Sequence, residues 1–213
     1  VIYSTQDGGT TWSDVSQILL TPRRLSFVDR EVGWLVGSIG TQCGPEQCQN
    51  VIMRTDDGGK MWTRVSTVSA ELSDIAAVSA NDFWAVGRVC QRDKSCVGAL
   101  VRTTSGGQLW ENSTLPIVGQ DLRTGRLTSL DGWVARADSG KAGDSLAVTR
   151  DGGNTWATFG TPCAQGGVLA DFTSVDNGWL ACAQSDSTRS SPLTIQRTSD
   201  GGATWRVVGT IPV

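Results

Sequence analysis

The segment Thr55-Asp-Asp-Gly-Gly-Lys-Met-Trp62 decides the fold, because the chain carries five versions of it. Asp-Gly-Gly between two alternating apolar segments predicts a tight β-hairpin, since glycine readily adopts positive φ and aspartate can bond the backbone beyond it. The tryptophans that end successive segments lie 50, 48, 46 and 49 residues apart. The five segments, called boxes below, are Thr5–Trp12, Thr55–Trp62, Thr103–Trp110, Thr149–Trp156 and Thr198–Trp205.

A second motif alternates with the boxes and consists of an apolar segment, an acidic turn and an aromatic residue. It occurs at Phe27–Trp34, Ala80–Trp84, Leu130–Trp133 and Val175–Trp179, and the two motifs together use all nine tryptophans. Each full unit therefore predicts four short strands, A to D, with the box joining C to D. Four-stranded units at this period predict an all-β fold, a β-propeller of antiparallel blades.

The predicted organisation is a single propeller region with four complete blades and one C–D half blade. The half blade covers residues 1–20, and the blades cover about 21–70, 71–118, 119–162 and 163–213. The chain contains five C–D halves but only four A–B halves. Upstream sequence, an open five-unit ring or a partner chain could account for the difference, since an unpaired strand edge invites another strand. We favour upstream sequence and interpret the chain, which begins on the strand-like Val1–Thr5 without an initiator Met, as a mature or trimmed piece.

The spacing that recurs in each box predicts a structural role for the side chains of the box. A carboxylate at Asp7, Asp57, Asp151 or Asp200 can accept N–H groups of its own hairpin, and Ser105 replaces it in the third box. Metal ligation or acid catalysis is the alternative, but losing one carboxylate is easier to tolerate for a turn brace than for a catalyst. The box tryptophans are predicted to fill the space between blades; they are Trp12, Trp62, Trp110, Trp156 and Trp205.

Composition excludes several function classes. The net charge is −3 with a pI near 4.9, so no nucleic-acid partner is expected. Histidine is absent, which removes the commonest general base and metal ligand, and we expect neither a metal nor a cofactor. No run of about 18 apolar residues is present, so no membrane span is expected.

Six cysteines allow fifteen disulfide pairings. The repeat register favours Cys43–Cys48 and Cys90–Cys96, each closing a B–C loop, together with Cys163–Cys182, which ties a D–A connector to the end of strand B. Zinc is the alternative, but the lack of histidine disfavours it. Disulfides predict a secreted or extracytoplasmic protein, in the periplasm, in a lumen or at a cell surface.

Two faces follow from the predicted topology. Boxes and A–B turns share the box face, whereas B–C and D–A loops share the loop face. Long, variable loops at 40–50, 89–98, 137–145 and 183–193 are typical of a binding surface, although they could also reflect mere tolerance of insertion. Arginines suited to gripping carboxylates or phosphates are predicted on this face, unless they are simply salt-bridged. They are Arg23, Arg24, Arg88, Arg92, Arg123, Arg126 and Arg136.

The box pattern, S/T-x-D-x-G-x-T/x-W, resembles the Asp-box (BNR) repeats of sialidases, Vps10/sortilin propellers, xyloglucan hydrolases and Ycf48-like photosystem assembly factors. The combination of Arg-Thr-x-Asp-Gly-Gly-x-x-Trp with an aromatic B strand is most similar to the Ycf48-like group. The resemblance covers nearly the whole chain. It implies a propeller but not an activity, because enzymes and non-enzymes share the box.

Enzyme activity is not expected. A sialidase would need an arginine triad, a tyrosine paired with glutamate and an acidic aspartate, and the only tyrosine is Tyr3. A xyloglucanase-like site would need two facing carboxylates, for which Asp74 and Asp171 on A strands are the nominees. We expect a non-enzymatic scaffold that binds a protein partner through its disulfide-stapled loop face. The alternatives are the propeller portion of a glycoside hydrolase and a structural subunit joined by strand edges.

Overall fold

A computed structural model describes residues 1–40, 49–137, 144–163, 168–182 and 193–212. These residues form eighteen β-strands and no helix. The strands make four antiparallel four-stranded sheets and one two-stranded sheet. The prediction of an all-β propeller with four-stranded blades is confirmed. None of the described residues belongs to a helix long and apolar enough to cross a membrane.

The strands follow the chain blade by blade. Blade 1 is the two-stranded half blade, and blades 2 to 5 are complete. Their bounds are β1 (Ile2–Ser4) and β2 (Ser13–Ser16) in blade 1; β3 (Thr21–Phe27), β4 (Gly33–Ile39), β5 (Gln49–Thr55) and β6 (Thr63–Val68) in blade 2; β7 (Glu71–Ala77), β8 (Phe83–Cys90), β9 (Cys96–Thr103) and β10 (Glu111–Leu115) in blade 3; β11 (Leu122–Arg126), β12 (Gly132–Arg136), β13 (Asp144–Thr149) and β14 (Ala157–Gly160) in blade 4; and β15 (Val168–Phe172), β16 (Gly178–Cys182), β17 (Leu193–Thr198) and β18 (Arg206–Ile211) in blade 5.

Each complete blade has its strands in the order A, B, C, D, so that every neighbour in the sheet is also a neighbour in sequence. The A strands β3, β7, β11 and β15 contact one another in that order, which places them around a common axis. The D strands β6, β10, β14 and β18 form the outer edges. This arrangement brings residues from different blades together only near the axis and in the joints between blades.

The apolar core lies in the joints between blades. At the joint of blades 2 and 3, Trp34 stacks on Phe83 with ring centroids 4.5 Å apart, and Trp110 stands edge-on to both at 6.3 and 6.0 Å. At the next joint Trp84 stacks on Trp156 at 5.8 Å. B-strand tryptophans thus pack toward the following blade and box tryptophans toward the preceding one, and each such pair buries a large apolar area.

The box hairpins are built from local hydrogen bonds. In the second box, Gly58 and Gly59 adopt φ of 73° and 89°, a region that side-chain-bearing residues rarely enter. The Thr55 hydroxyl accepts the Gly59 N–H at 2.9 Å, and Asp57 Oδ1 accepts the Met61 N–H at 2.9 Å. Gly58 N–H also donates to the carbonyl of Glu31 in the A–B turn at 2.8 Å. Boxes and A–B turns therefore share one face, and the B–C loops begin on the other.

Two of the three predicted disulfides are present. Cys90–Cys96 closes the B–C hairpin of blade 3, and Cys163–Cys182 ties the connector after β14 to the end of β16. The predicted pair Cys43–Cys48 lies outside the described residues. Both observed bridges lie on the loop face, where they limit the conformations open to the chain.

Candidate binding face

An arginine–carboxylate cluster lies at the loop-face end of the A strands, beside the propeller axis. It joins four of the predicted arginines to three acidic side chains through ion pairs. Its members, called the axial cluster below, are Arg23, Arg24, Glu71, Asp74, Arg88, Asp121 and Arg123. The cluster spans blades 2, 3 and 4, because β3, β7 and β11 begin at this end of the molecule.

Glu71 holds two arginines from different blades. Its Oε2 accepts hydrogen bonds from Arg88 Nε at 3.0 Å and Nη2 at 2.9 Å, while its Oε1 accepts one from Arg23 Nη2 at 3.2 Å. Partial burial opposes ionisation, but the hydrogen bonds and positive charge of Arg88, followed by those of Arg23, hold the pKa of Glu71 below its usual value. Glu71 is therefore ionised at neutral pH and fixes both guanidinium groups.

Asp74 links three neighbouring A strands. Its Oδ1 lies 3.3 Å from Arg24 Nε on β3, and its Oδ2 accepts the Thr124 N–H of β11 at 3.0 Å. Burial raises the pKa of Asp74, although the hydrogen bond from Thr124 and the charge of Arg24 favour its ionised form. Ser73 adds a second link, because its hydroxyl donates to the Leu122 carbonyl at 3.0 Å.

The remaining arginines of the loop face lie around this cluster. Arg123 Nη2 contacts Asp121 Oδ2 at 2.8 Å. Arg136 ends β12 opposite Leu122, at the loop-face edge of blade 4. Arg92 is exposed in the hairpin closed by Cys90–Cys96, where Gln91 N–H donates to the Ser95 carbonyl at 2.8 Å. The loop face thus presents arginines from three blades.

Arg126 does not belong to this face, and its predicted placement is wrong. It ends β11, which runs from the loop face to the box face, so it lies roughly 10 Å along the strand from Arg123. Its guanidinium pairs with Asp82 of the preceding blade and donates to the Ser129 carbonyl at 2.7 Å. It also lies over the Trp84 ring at 4.3 Å, and its side chain is only 3% exposed. Arg126 is a buried brace between blades 3 and 4.

Glu71 and Asp121 were missed as members of the site from the sequence. The available signal was the strand register, because Glu71 begins β7 directly opposite Arg88 on β8. A carboxylate opposite an arginine on the same sheet face predicts a cross-strand pair. The contact of Glu71 with Arg23, which lies 48 residues away, depends on the packing of blades and has no local signal.

The box carboxylates differ in how many donors they receive. In three boxes a threonine four residues after the aspartate donates its hydroxyl to Oδ2 at 2.6 Å, at Thr11, Thr155 and Thr204. These hydrogen bonds lower the pKa of Asp7, Asp151 and Asp200 to about 2. Asp57 lacks this donor, because Met61 occupies the position, and the pKa of Asp57 is lowered chiefly by the Met61 N–H. All four accept hydrogen bonds within their own hairpin.

The two carboxylates nominated for catalysis, Asp74 and Asp171, have different surroundings. Asp74 is held by Arg24 and Thr124, while Asp171 is exposed on β15. No group of three or more acidic or cysteine side chains is placed to hold a metal ion in the part of the chain that the structure describes.

These features define the protein class as an all-β propeller of four-stranded antiparallel blades. No family model matches the chain, and no curated protein sequence matches it. Solved structures with the same architecture do match.

One similar structure is the GH74 xyloglucanase from Xanthomonas campestris, with 13% identity and a TM-score of 0.63 over 99% of this chain and 34% of that one. A family 117 glycoside hydrolase from the marine bacterium Zobellia galactanivorans has 12% identity and a TM-score of 0.56, covering 92% and 71% of the two chains. Ycf48 bound to a D1 peptide has 18% identity and a TM-score of 0.47, covering 89% and 81%. This chain therefore spans about a third of the xyloglucanase, and at these identities the likeness concerns the fold alone.

Proposed function

We propose that the chain is a non-enzymatic extracytoplasmic propeller that binds a protein partner through its loop face and serves as an assembly scaffold. The axial cluster is the observation that carries this proposal. It holds four arginines in fixed, partly exposed positions beside three carboxylates. Arginine recognises carboxylates by paired N–H donors, and an arginine that is already positioned loses less side-chain entropy on binding. The expected partner segment is acidic.

The two disulfides support the extracytoplasmic part of the proposal. Disulfides persist in oxidising compartments and are rare where thiols are kept reduced. Cys90–Cys96 also constrains the hairpin that carries Arg92, which favours a preformed surface over one that orders on binding.

Charge reversal on the loop face tests the proposal. The double variant Arg88→Glu with Arg136→Glu should reduce recovery of partner proteins from the extracytoplasmic fraction of the source organism at least about tenfold, since like charges then oppose an acidic segment. Lys60→Glu is the matched control, because Lys60 is exposed on the box face. Equal recovery by the loop-face variant and the control would overturn the proposed binding face. Circular dichroism would verify that both variants are folded.

A glycoside hydrolase is a second candidate, favoured by the raised pKa of Asp74, since a general acid must be protonated near its working pH. Against it, both Asp74 oxygens have partners at 3.3 and 3.0 Å. Incubation of the protein with xyloglucan and with a sialoside, read by reducing-sugar and free sialic acid assays, separates the candidates. Sugar release that disappears in Asp74→Asn would support the hydrolase and contradict the scaffold proposal.

A further inference from the structure

The joint between blades 2 and 3 contains a cavity of about 530 Å³. It lies between the outer strand β6 of blade 2 and the strands β9 and β10 of blade 3, and its lining residues Ala70 and Val89 are chain neighbours of Glu71 and Arg88 in the axial cluster. Fifteen described residues line it and none of them is charged. Its walls combine valine and alanine side chains with serine and threonine hydroxyls. A volume of this size is within the range of ligand-binding cavities.

Comparison with the neighbouring joints explains why the space exists. At the joint of blades 3 and 4, the end of β10 and the connector that follows it place Leu115 and Ile117 in the core with Leu122. At the joint of blades 4 and 5, Phe159 and Cys163 pack in the corresponding region.

At the joint of blades 2 and 3, β6 ends at Val68, and the connector that follows it places the much smaller Ala70 in the core. Ala99, on the opposite wall, is also small. The cavity therefore stands where the other joints hold a large apolar side chain supplied by the chain itself.

The strand beside the cavity has an open edge. β6 pairs with β5 and with no other strand in the described part of the chain. Alternate N–H and C=O groups of an edge strand point outward and can pair with an added strand. Thr67 and Ser69 on this segment line the cavity and are exposed.

We propose that this joint binds an extended, uncharged peptide segment of a partner protein, which adds to the edge of β6 and inserts one large aliphatic side chain into the cavity. The neutral lining disfavours charged ligands, because a charge buried there would find no ion-pair partner. The filled joints show which side-chain type fits, and the open edge of β6 supplies the backbone hydrogen bonds. The lining contains none of the loop-face arginines, so peptide binding here does not require the axial cluster.

A capped peptide, acetyl-Thr-Val-Thr-Leu-Thr-Val-Thr-amide, is the probe for this site. Titration into the labelled protein should shift the Trp110 indole N–H resonance in NMR spectra and saturate with a Kd of about 10⁻⁴ M, as expected for a short segment. Replacing the central leucine of the peptide by alanine should weaken binding about tenfold, because one side chain then leaves the cavity unfilled. A peptide with glutamate in place of the threonines should not bind.

Two variants of the protein test whether the peptide enters at this cavity. Val97 lies at the mouth of the cavity and is 47% exposed, so Val97→Glu should fold while placing a charge where the peptide enters, and binding should fall at least about tenfold. Leu130→Glu is the matched control, since Leu130 is 56% exposed on the box face of blade 4, and it should bind as the wild type does. The absence of a saturable shift, or equal binding by Val97→Glu and wild type, would overturn the proposal. Equal binding of the glutamate peptide would overturn it as well.

Discussion

Trp12 and Trp110 occupy the same position in two boxes but have different surroundings. Each indole N–H donates within its own hairpin, from Trp12 to the Gly9 carbonyl at 3.1 Å and from Trp110 to the Gly107 carbonyl at 2.9 Å. Trp110 also packs edge-on against Trp34 of the preceding blade. Trp12, in the half blade, has no such neighbour among the described residues and is 62% exposed. The hairpin is therefore a local structure, whereas burial of its tryptophan is a property of the joint.

The other hydrogen bonds of the box also form independently of how far its tryptophan is buried. Thr5 and Thr103 each accept the N–H of the second glycine, at 2.8 and 3.0 Å, whether or not the tryptophan is buried. Energy from hydrogen bonds inside the hairpin and energy from apolar packing between blades can thus be measured at different residues of one repeat.

The largest effect should come from truncating a packed box tryptophan. Trp110→Ala should lower the free energy of unfolding by about 3 kcal/mol, because it removes a ring from a three-ring core and leaves a cavity. Trp12→Ala, at the exposed counterpart, should change it by less than about 0.5 kcal/mol. Urea denaturation followed by tryptophan fluorescence and circular dichroism measures both. Similar losses in the two variants would show that the exposed ring stabilises its own hairpin.

Acid should weaken the four boxes that carry an aspartate. The pKa values of Asp7, Asp151 and Asp200 are about 2 in the folded protein, below the ordinary value of 3.8. Since the folded pKa is the lower one, these carboxylates stabilise the fold above about pH 4, and that stabilisation is lost as the pH falls toward 2.

Thermal unfolding should therefore give a nearly constant Tm from pH 7 to 5 and a steep fall below pH 4. Asp7 should titrate with Asp151 in carboxyl ¹³C NMR spectra, despite the exposed tryptophan beside it. A normal pKa for Asp7 alone would show that the hairpin depends on the neighbouring blade.

A smaller effect is expected from the hydroxyl that closes the hairpin. Thr149 accepts the Gly153 N–H at 2.9 Å and donates to Asp151 at 2.8 Å, and it is buried. Thr149→Val keeps the shape but leaves the Gly153 N–H without its acceptor, which should cost about 1–3 kcal/mol. Thr5→Val, where the hairpin is exposed and water can replace the hydroxyl, should cost less. Equilibrium unfolding measures both variants, with Thr63→Val as a control at an exposed threonine outside the boxes. A larger loss for Thr5→Val than for Thr149→Val would contradict this expectation.

The smallest effect should come from restoring the missing carboxylate. Ser105 already accepts the Leu109 N–H at 2.9 Å, so one hydrogen bond of the box is retained without an aspartate. Ser105→Asp should stabilise the protein slightly, and adding Leu109→Thr should stabilise it further by supplying the hydroxyl donor found in three other boxes. Differences in Tm between the single and double variants measure the gain. Destabilisation by Ser105→Asp at pH 7 would contradict this account of the box.

The hairpins and blade order could be predicted from the sequence because their causes are local. Glycine pairs such as Gly58 and Gly59 take the positive φ that the turn requires, and the spacing of tryptophans sets the blade period. Cys90 and Cys96 fall opposite each other in the register of β8 and β9, so their pairing also has a local basis.

The candidate site could be predicted only in part. Placement of Arg126 was wrong because a five-residue A strand has ends on opposite faces, and the sequence pattern does not reveal where such a strand begins. The partners of Arg23 and Arg24 lie in the next blade, at Glu71 and Asp74, so they depend on packing between units. The cavity at the joint of blades 2 and 3 arises from an alanine where other joints carry larger side chains, which is visible only when the blades are compared in space.

Arginines that precede two of the boxes make the contact between blades directional. Arg54 donates to the Gly106 carbonyl in the following box at 2.8 Å, and Arg102 does the same to Gly152. Blade 2 thus donates to blade 3, and blade 3 both accepts from blade 2 and donates to blade 4. If blade 3 were duplicated beside the original, the arginine before each box would still find a glycine carbonyl in the box of the next blade. A blade of this kind can therefore be duplicated or lost during evolution while the arginine-to-carbonyl contact is kept at its joints.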